Sequence, residues 1–113
     1  TEVFAQVFEI IEASYERKLD PDSMSAARFV THLRYLFVRA SRASANRPED
    51  LDEVSQPSLL AALRADAPRA YACAQKVLLV LQMQLNQSLT RDELTYLTIH
   101  IARLARDMWG INA

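Results

Sequence analysis

Glycine and cysteine are almost absent from this sequence, which has one residue of each in 113. The single Cys73 cannot form an internal disulfide, and its apolar neighbours Ala72, Ala74 and Val77 favour a buried packing role over a reactive thiol. This pattern favours a reducing compartment, and we expect a cytoplasmic location. The scarcity of glycine, with strong helix formers throughout and no convincing strand pattern, predicts an all-α fold.

Long hydrophobic runs and an excess of charge of either sign are also lacking. No stretch of about 18 apolar residues occurs, so we expect no membrane span. The first residues show no signal-peptide pattern, and we expect the chain to be part of a longer protein. Thirteen Lys and Arg against fourteen Asp and Glu give a net charge of −1, which removes the usual electrostatic basis for binding nucleic acid. Any RNA or DNA is therefore expected to bind another domain of the parent protein.

Half of the residues are apolar, which is enough for one domain of this length, spanning residues 1–113, to bury a core without disulfides or metal. Periodicity predicts five helices, at about 2–18, 23–43, 57–65, 67–85 and 90–109. Four long amphipathic helices joined by short links indicate an antiparallel bundle, with the short third helix as an insert. The segment 44–56, which is poor in apolar residues, is the longest predicted loop.

Apolar positions at three- and four-residue spacing define the expected inner faces. These positions are Phe4, Val7, Phe8, Ile11 and Tyr15 in the first helix, Phe29, Leu33, Leu36, Phe37 and Ala40 in the second, and Leu94, Leu97, Ile101, Leu104 and Met108 in the fifth. Apolar residues cover most of the circumference of the fourth helix, so we expect it to be central and buried on several sides. A capping box from Thr90 to Glu93 is expected to start the fifth helix, and Gly110 to end it.

The two histidines, His32 and His100, are the candidate functional residues. Their helical stripes lie beside the apolar faces, so each imidazole is expected at a rim that a partner can reach. A neutral imidazole is nucleophilic near pH 7, and nearby arginines could stabilise the charge of an added phosphoryl group. A histidine at such a position is more often packed or solvated than reactive, so spacing leaves both interpretations open. The residues that accompany the histidines on their stripes are Arg28, Tyr35 and Arg39 for His32, and Tyr96 and Arg103 for His100.

Other chemistries have little support in the sequence. Two histidines and one cysteine show no metal-ligand spacing, and no Ser or Cys nucleophile has a recognisable flanking motif. We expect no metal, no cofactor and no enzymatic activity. Glu93 and Asp107 share the His100 stripe, but each lies about 10.5 Å away along the helix axis. Neither is expected to orient that imidazole directly.

Three segments resemble one known family, the phosphotransferase regulation domain. DELTYLTIHIARL (Asp92–Leu104) resembles the signature of its final helix, and FVTHLRYLFVR (Phe29–Arg39) resembles that of its second helix. APRAY (Ala67–Tyr71) is similar to the entry into its fourth helix. One departure is Ala102, where the family often has a polar residue. Two separate motifs at the appropriate distance make the resemblance fairly specific, and it spans nearly the whole chain.

The resemblance implies a five-helix bundle that forms homodimers and is phosphorylated on His32 and His100 by the general phosphocarrier protein or a sugar-specific permease component. In antiterminators of this type, phosphorylation controls dimerisation and hence RNA binding by a separate domain. The FVTHL segment looks more like the second of two such domains, which implies activation by the phosphocarrier. A transcription activator as the parent, a histidine phosphotransfer domain and a plain dimerisation bundle remain open alternatives.

Overall fold

The chain folds into helices, seen in a computed structural model that describes residues 2–43 and 57–113. The helices are α1 (Glu2–Tyr15), α2 (Met24–Ala43), α3 (Pro57–Asp66), α4 (Pro68–Leu85) and α5 (Arg91–Trp109). Neither described range contains a strand, and the predicted five-helix, all-α fold is confirmed. The predicted loop 44–56 lies outside the described residues.

Helix α1 ends at Tyr15, earlier than the predicted end near Lys18. Glu16 adopts a left-handed backbone conformation with φ of 53°, which terminates the helix. The Arg17 N–H then donates to the carbonyl of Glu12 at 3.2 Å, and the Leu19 N–H donates to the Glu12 carboxylate at 2.8 Å. Apolar spacing does not reveal this turn because it depends on the conformation of Glu16 and on a polar side chain.

The ends of α5 follow their sequence signals. The Thr90 N–H donates to the Glu93 carboxylate at 2.8 Å, as expected for the predicted capping box. Gly110 has a φ of 70°, and its N–H donates to the carbonyl of Arg106 at 2.9 Å. Glycine suits this position because the left-handed conformation strains residues that carry a Cβ atom. The predicted start and stop of α5 are both observed.

The core lies between α1, α2, α4 and α5, and most of the expected inner positions are buried. Phe4, Phe8, Phe37, Leu94 and Met108 are only partly buried, at the edge of the core. The largest fully buried side chains are Val7, Ile11, Leu33, Leu36, Cys73, Val77, Leu81, Leu97, Thr98 and Ile101. Burial also raises the pKa of the Cys73 thiol, which fits the packing role expected of it.

Helix α4 contacts α1, α3 and α5, which makes it central to the fold. Cys73, Val77 and Leu81 face the core, but Leu79 is 60% exposed and Met83 is 82% exposed. The expectation that α4 is buried on several sides is therefore wrong for these two residues. Apolar residues around a helix show that it could be buried on each side, but only its neighbours determine which sides are covered.

Helices α2 and α5 pack against each other along a seam that positions the candidate site. Leu33 and Leu36 on α2 and Leu97 and Ile101 on α5 are fully buried. His32 precedes Leu33 and His100 precedes Ile101 in the sequence. Consecutive residues on a helix point about 100° apart, so both imidazoles lie beside the buried face instead of within it.

Candidate functional site

The two histidines meet in the seam between α2 and α5. Their ring centroids are 3.8 Å apart and their planes are inclined by 21°, so the imidazoles are stacked. Both side chains are partly buried. Sequence spacing placed each histidine on the stripe of its own helix, and the packing of α2 on α5 joins the two stripes into one site.

The pKa of His100 is strongly perturbed. Burial, with smaller contributions from the nearby His32 and Arg103, lowers it from 6.5 to about 4. His100 is therefore neutral near pH 7 and carries a nitrogen lone pair. A neutral imidazole is the form that can act as a nucleophile or accept a hydrogen bond.

Tyr96 links the two helices through its hydroxyl group. The hydroxyl donates to the backbone carbonyl oxygen of His32 at 3.2 Å and lies 3.1 Å from His32 Nδ1. The Tyr96 ring also meets the His100 ring edge-on, with centroids 4.4 Å apart. Burial raises the pKa of Tyr96, so its hydroxyl remains protonated at neutral pH. The tyrosine expected beside His100 thus bonds to the histidine of the other helix.

A groove of about 500 Å³ opens on one side of the histidine pair. Its walls include Arg39, whose guanidinium group lies 4.7 Å from the centre of the Tyr96 ring. The Arg39 Nε atom is also 3.8 Å from the carboxylate of Glu93, which is 7% exposed. The residues lining the groove are His32, Tyr35, Val38, Arg39, Arg42, Tyr96 and His100.

A second, much smaller cavity of about 10 Å³ lies on the same seam, with Asp107 in its wall. The Asp107 carboxylate is 3.4 Å from Arg28 Nη1, 3.6 Å from Arg103 Nε and 3.5 Å from Arg106 Nε. One acidic side chain therefore holds three guanidinium groups, one of them from α2. The residues lining this cavity are Ser25, Arg28, Phe29, His32, His100, Arg103, Leu104 and Asp107.

All seven site residues predicted from the sequence line one or both of these cavities. Asp107 and Arg42 are further members that sequence reasoning did not include. The spacing of four residues between Arg103 and Asp107 signals their ion pair, but the bridge to Arg28 depends on how α2 packs against α5. Asp107 contacts the arginines that flank the histidines, whereas the sequence argument considered only direct contact with an imidazole.

Chemically, the site offers two adjacent imidazoles between two groups of guanidinium side chains. In the described ranges 2–43 and 57–113, no three His, Cys, Asp or Glu side chains come together in an arrangement that could hold a metal ion. No described helix is both long enough and apolar enough to cross a membrane. The arrangement suits the transient attachment of an anionic group to a histidine nitrogen.

The fold and site define a helical domain with a stacked pair of histidines. The chain belongs to the PRD domain family, whose model matches residues 5–104. The resemblance to the phosphotransferase regulation domain seen in the sequence is thereby confirmed.

Two relatives of this chain carry the name antiterminator. The chain is 29% identical over 106 residues to the transcription antiterminator LicT of Bacillus subtilis (strain 168), covering 94% of this chain and 36% of LicT. It is 27% identical over 104 residues to the PtsGHI operon antiterminator of the same strain, covering 92% of this chain and 34% of that protein. It is 29% identical over 99 residues to Protein GlcT of Staphylococcus aureus (strain JH9), covering 88% of this chain and 32% of GlcT.

The chain thus spans about a third of the length of these relatives. No solved structure matches it significantly.

Proposed function

We propose that this chain is one regulatory domain of a longer transcriptional antiterminator, and that the sugar phosphotransferase system phosphorylates it on His32 and His100. Phosphorylation would control pairing of the domain into homodimers, and hence RNA binding by a separate domain of the parent protein. The stacked histidine pair, with centroids 3.8 Å apart between two arginine groups, is the observation that carries this proposal. Membership of the PRD family and the names of the relatives support it.

The surroundings of the histidines suit a phosphoryl group. Such a group brings nearly two negative charges and three acceptor oxygens, which guanidinium side chains bind through charge-assisted hydrogen bonds. Arg28 and Arg103 line the small cavity with both histidines, and Arg39 and Arg42 line the groove. A phosphoryl group on either imidazole would lie near at least two of these cations.

Asp107 gives the unmodified domain a defined resting state. Its carboxylate forms ion pairs with Arg28 and Arg103, which line the small cavity together with both histidines. A phosphoryl dianion would compete with this carboxylate for the same two side chains. Because the Asp107 to Arg28 contact joins α5 to α2, phosphorylation would rearrange a link between helices and alter the surface presented to a second copy.

The groove offers the route of approach for the phosphoryl donor. Tyr35 is 61% exposed and Val38 is 51% exposed, and both line it beside the histidines. We take the phosphocarrier protein or a sugar-specific permease component as the donor, which places the domain in the cytoplasm. A phosphoacceptor of this kind is a substrate of its donor and performs no turnover itself, so we assign the chain no enzymatic activity.

The proposal is tested by incubating the chain with the phosphocarrier protein, its upstream kinase and labelled phosphoenolpyruvate. We expect acid-labile labelling, partial loss of label in His32→Ala and in His100→Ala, and no label in the double variant. Leu79→Ala, on the exposed side of α4, serves as a surface control that keeps full labelling. The proposal is abandoned if neither the phosphocarrier nor a permease component labels the unaltered chain.

A further inference from the structure

The Tyr96 hydroxyl makes two polar contacts with a single residue, His32, but it carries only one hydrogen. Its oxygen is 3.2 Å from the His32 carbonyl oxygen and 3.1 Å from His32 Nδ1. A carbonyl oxygen only accepts, so the hydrogen between the two oxygens is that of the tyrosine. The contact with Nδ1 also needs a hydrogen, and only the imidazole is left to supply it.

From this count we infer that Tyr96 holds His32 in the tautomer that carries its proton on Nδ1, which leaves Nε2 as the phosphoacceptor atom. The tautomer follows from the contacts alone. The assignment of Nε2 as the acceptor rests also on the function proposed above, because only a nitrogen with a free lone pair can attack phosphorus. Tyr96 is thus a positioning residue for His32.

Several contacts hold Tyr96 in place for this role. Its ring packs edge-on against His100, with centroids 4.4 Å apart, and Arg39 covers it at 4.7 Å. Arg39 is in turn paired with Glu93, which lies three residues before Tyr96 on α5. Burial raises the pKa of Tyr96, so the hydroxyl keeps the hydrogen that it donates to the His32 carbonyl. The hydroxyl therefore presents its oxygen to Nδ1 as an acceptor.

Phosphoryl transfer to this tautomer balances without moving a proton. With a phosphohistidine as the donor, the Nε2 lone pair of His32 forms the new N–P bond, and the donor's N–P bond breaks with its electron pair returning to the donor nitrogen. A proton on the other nitrogen of the donor's imidazole lets that ring leave as a neutral group. The Nδ1 proton of His32 stays where it is, and its hydrogen bond to Tyr96 becomes charge-assisted as the phosphorylated ring gains positive character.

The first test reads the tautomer in the unphosphorylated, ¹⁵N-labelled chain by long-range ¹H–¹⁵N spectroscopy at pH 8. His32 signals are assigned as those that survive in His100→Asn. We expect Nδ1 of His32 to resonate in the protonated range and Nε2 in the unprotonated range. In Tyr96→Phe the two nitrogen resonances should shift towards each other or exchange ranges, because the hydrogen bond that holds the tautomer is lost. The control is Tyr35→Phe, which removes the hydroxyl of the other tyrosine near His32; the two ring centroids are 6.4 Å apart. This variant should leave the nitrogen resonances of His32 unshifted.

The second test uses phosphoramidate, a small donor that phosphorylates imidazole nitrogens with release of ammonia and needs no protein partner. The His100→Asn variant is treated while folded, and the phosphohistidine isomers are then separated after alkaline hydrolysis. We expect the Nε2 isomer in large excess. The same variant treated in urea, or carrying Tyr96→Phe in addition, should lose this selectivity and give both isomers.

A protonated Nε2 in the spectrum, or a predominant Nδ1 isomer from the folded chain, would overturn the assignment. So would spectra in which Tyr96→Phe leaves both nitrogens of His32 unchanged. These outcomes are separate from failure of the proposed function, because neither test uses the phosphocarrier. A chain that the phosphocarrier does not label, but whose His32 shows the expected tautomer, would refute the function while upholding the role of Tyr96.

Discussion

The imidazole of His100 lies stacked on that of His32, with 3.8 Å between ring centroids and 21° between ring planes. Burial of His100 opposes a proton on this ring, and the nearby His32 ring opposes it further. Because a phosphoryl acceptor must be unprotonated, the stack favours the reactive form of His100 over a wide range of pH. This relationship also makes the stability of the fold depend on pH in a defined direction.

Stability should rise with pH between about 4 and 6.5 through His100. The pKa of this group is about 4 in the folded chain against 6.5 for an ordinary histidine, so the unfolded chain binds the proton more tightly across that window. Below about pH 4 the loss of unfolding free energy caused by His100 is complete, and above about pH 6.5 the loss vanishes. Urea unfolding at pH 5 and at pH 7.5 measures this loss. His100→Gln should show a smaller difference in unfolding free energy between the two pH values. An equal difference in both chains would contradict the assigned cause.

The sequence predicted seven of the residues that line the candidate site, but not how they touch. Spacing along one helix indicated Arg28 four residues before His32, Tyr35 three residues after it and Arg39 seven residues after it. The stack of the two histidines depends on the rotation and translation of α2 against α5, which no single-helix pattern contains. The bond of Tyr96 to His32 was missed for the same reason.

Fold elements were predictable where a local interaction decides them. The start of α5 follows from the Thr90 and Glu93 pair, and its end from Gly110. The end of α1 was misplaced because Glu16, a residue with no special preference for it, adopts the left-handed conformation. The exposure of Met83 on α4 could not be predicted from the sequence either, because it depends on which part of α4 the neighbouring helices cover.

Thr90→Ala should destabilise the fold by about 1 kcal/mol, the typical cost of losing an N-cap. The Thr90 hydroxyl donates to the Glu93 carboxylate, which also accepts the Thr90 N–H at 2.8 Å. Thr95→Ala is the matched control, because that hydroxyl only bonds the carbonyl of Arg91 within the same helix. Chemical denaturation should show Thr95→Ala close to neutral. Equal losses in the two variants would mean that the cap does not stabilise α5.

Leu81→Ala should cost about 2 to 5 kcal/mol of unfolding free energy, because it leaves a cavity in the core. Leu81 is fully buried on α4, whereas Leu79, two residues earlier, is 60% exposed. Leu79→Ala makes the same chemical change on the same helix and should stay within about 0.5 kcal/mol of the unaltered chain. Thermal melts of the two variants compare them directly, and similar losses would contradict the described packing of α4.

Asp107→Asn should separate the structural and regulatory parts of its role. The ion pairs of Asp107 involve side chains that are 29% to 58% exposed, so their loss should cost at most about 1 kcal/mol of stability. Arg28 and Arg103 would then be free to hold a phosphoryl group, and labelled phosphohistidine should hydrolyse more slowly than in the unaltered chain. Arg28→Gln should accelerate hydrolysis, because it removes one of those cations.

Asp66→Asn, at the end of α3, controls for the loss of one negative charge and should leave the hydrolysis rate unchanged. A hydrolysis rate that Asp107→Asn does not alter would show that this carboxylate does not compete for the arginines.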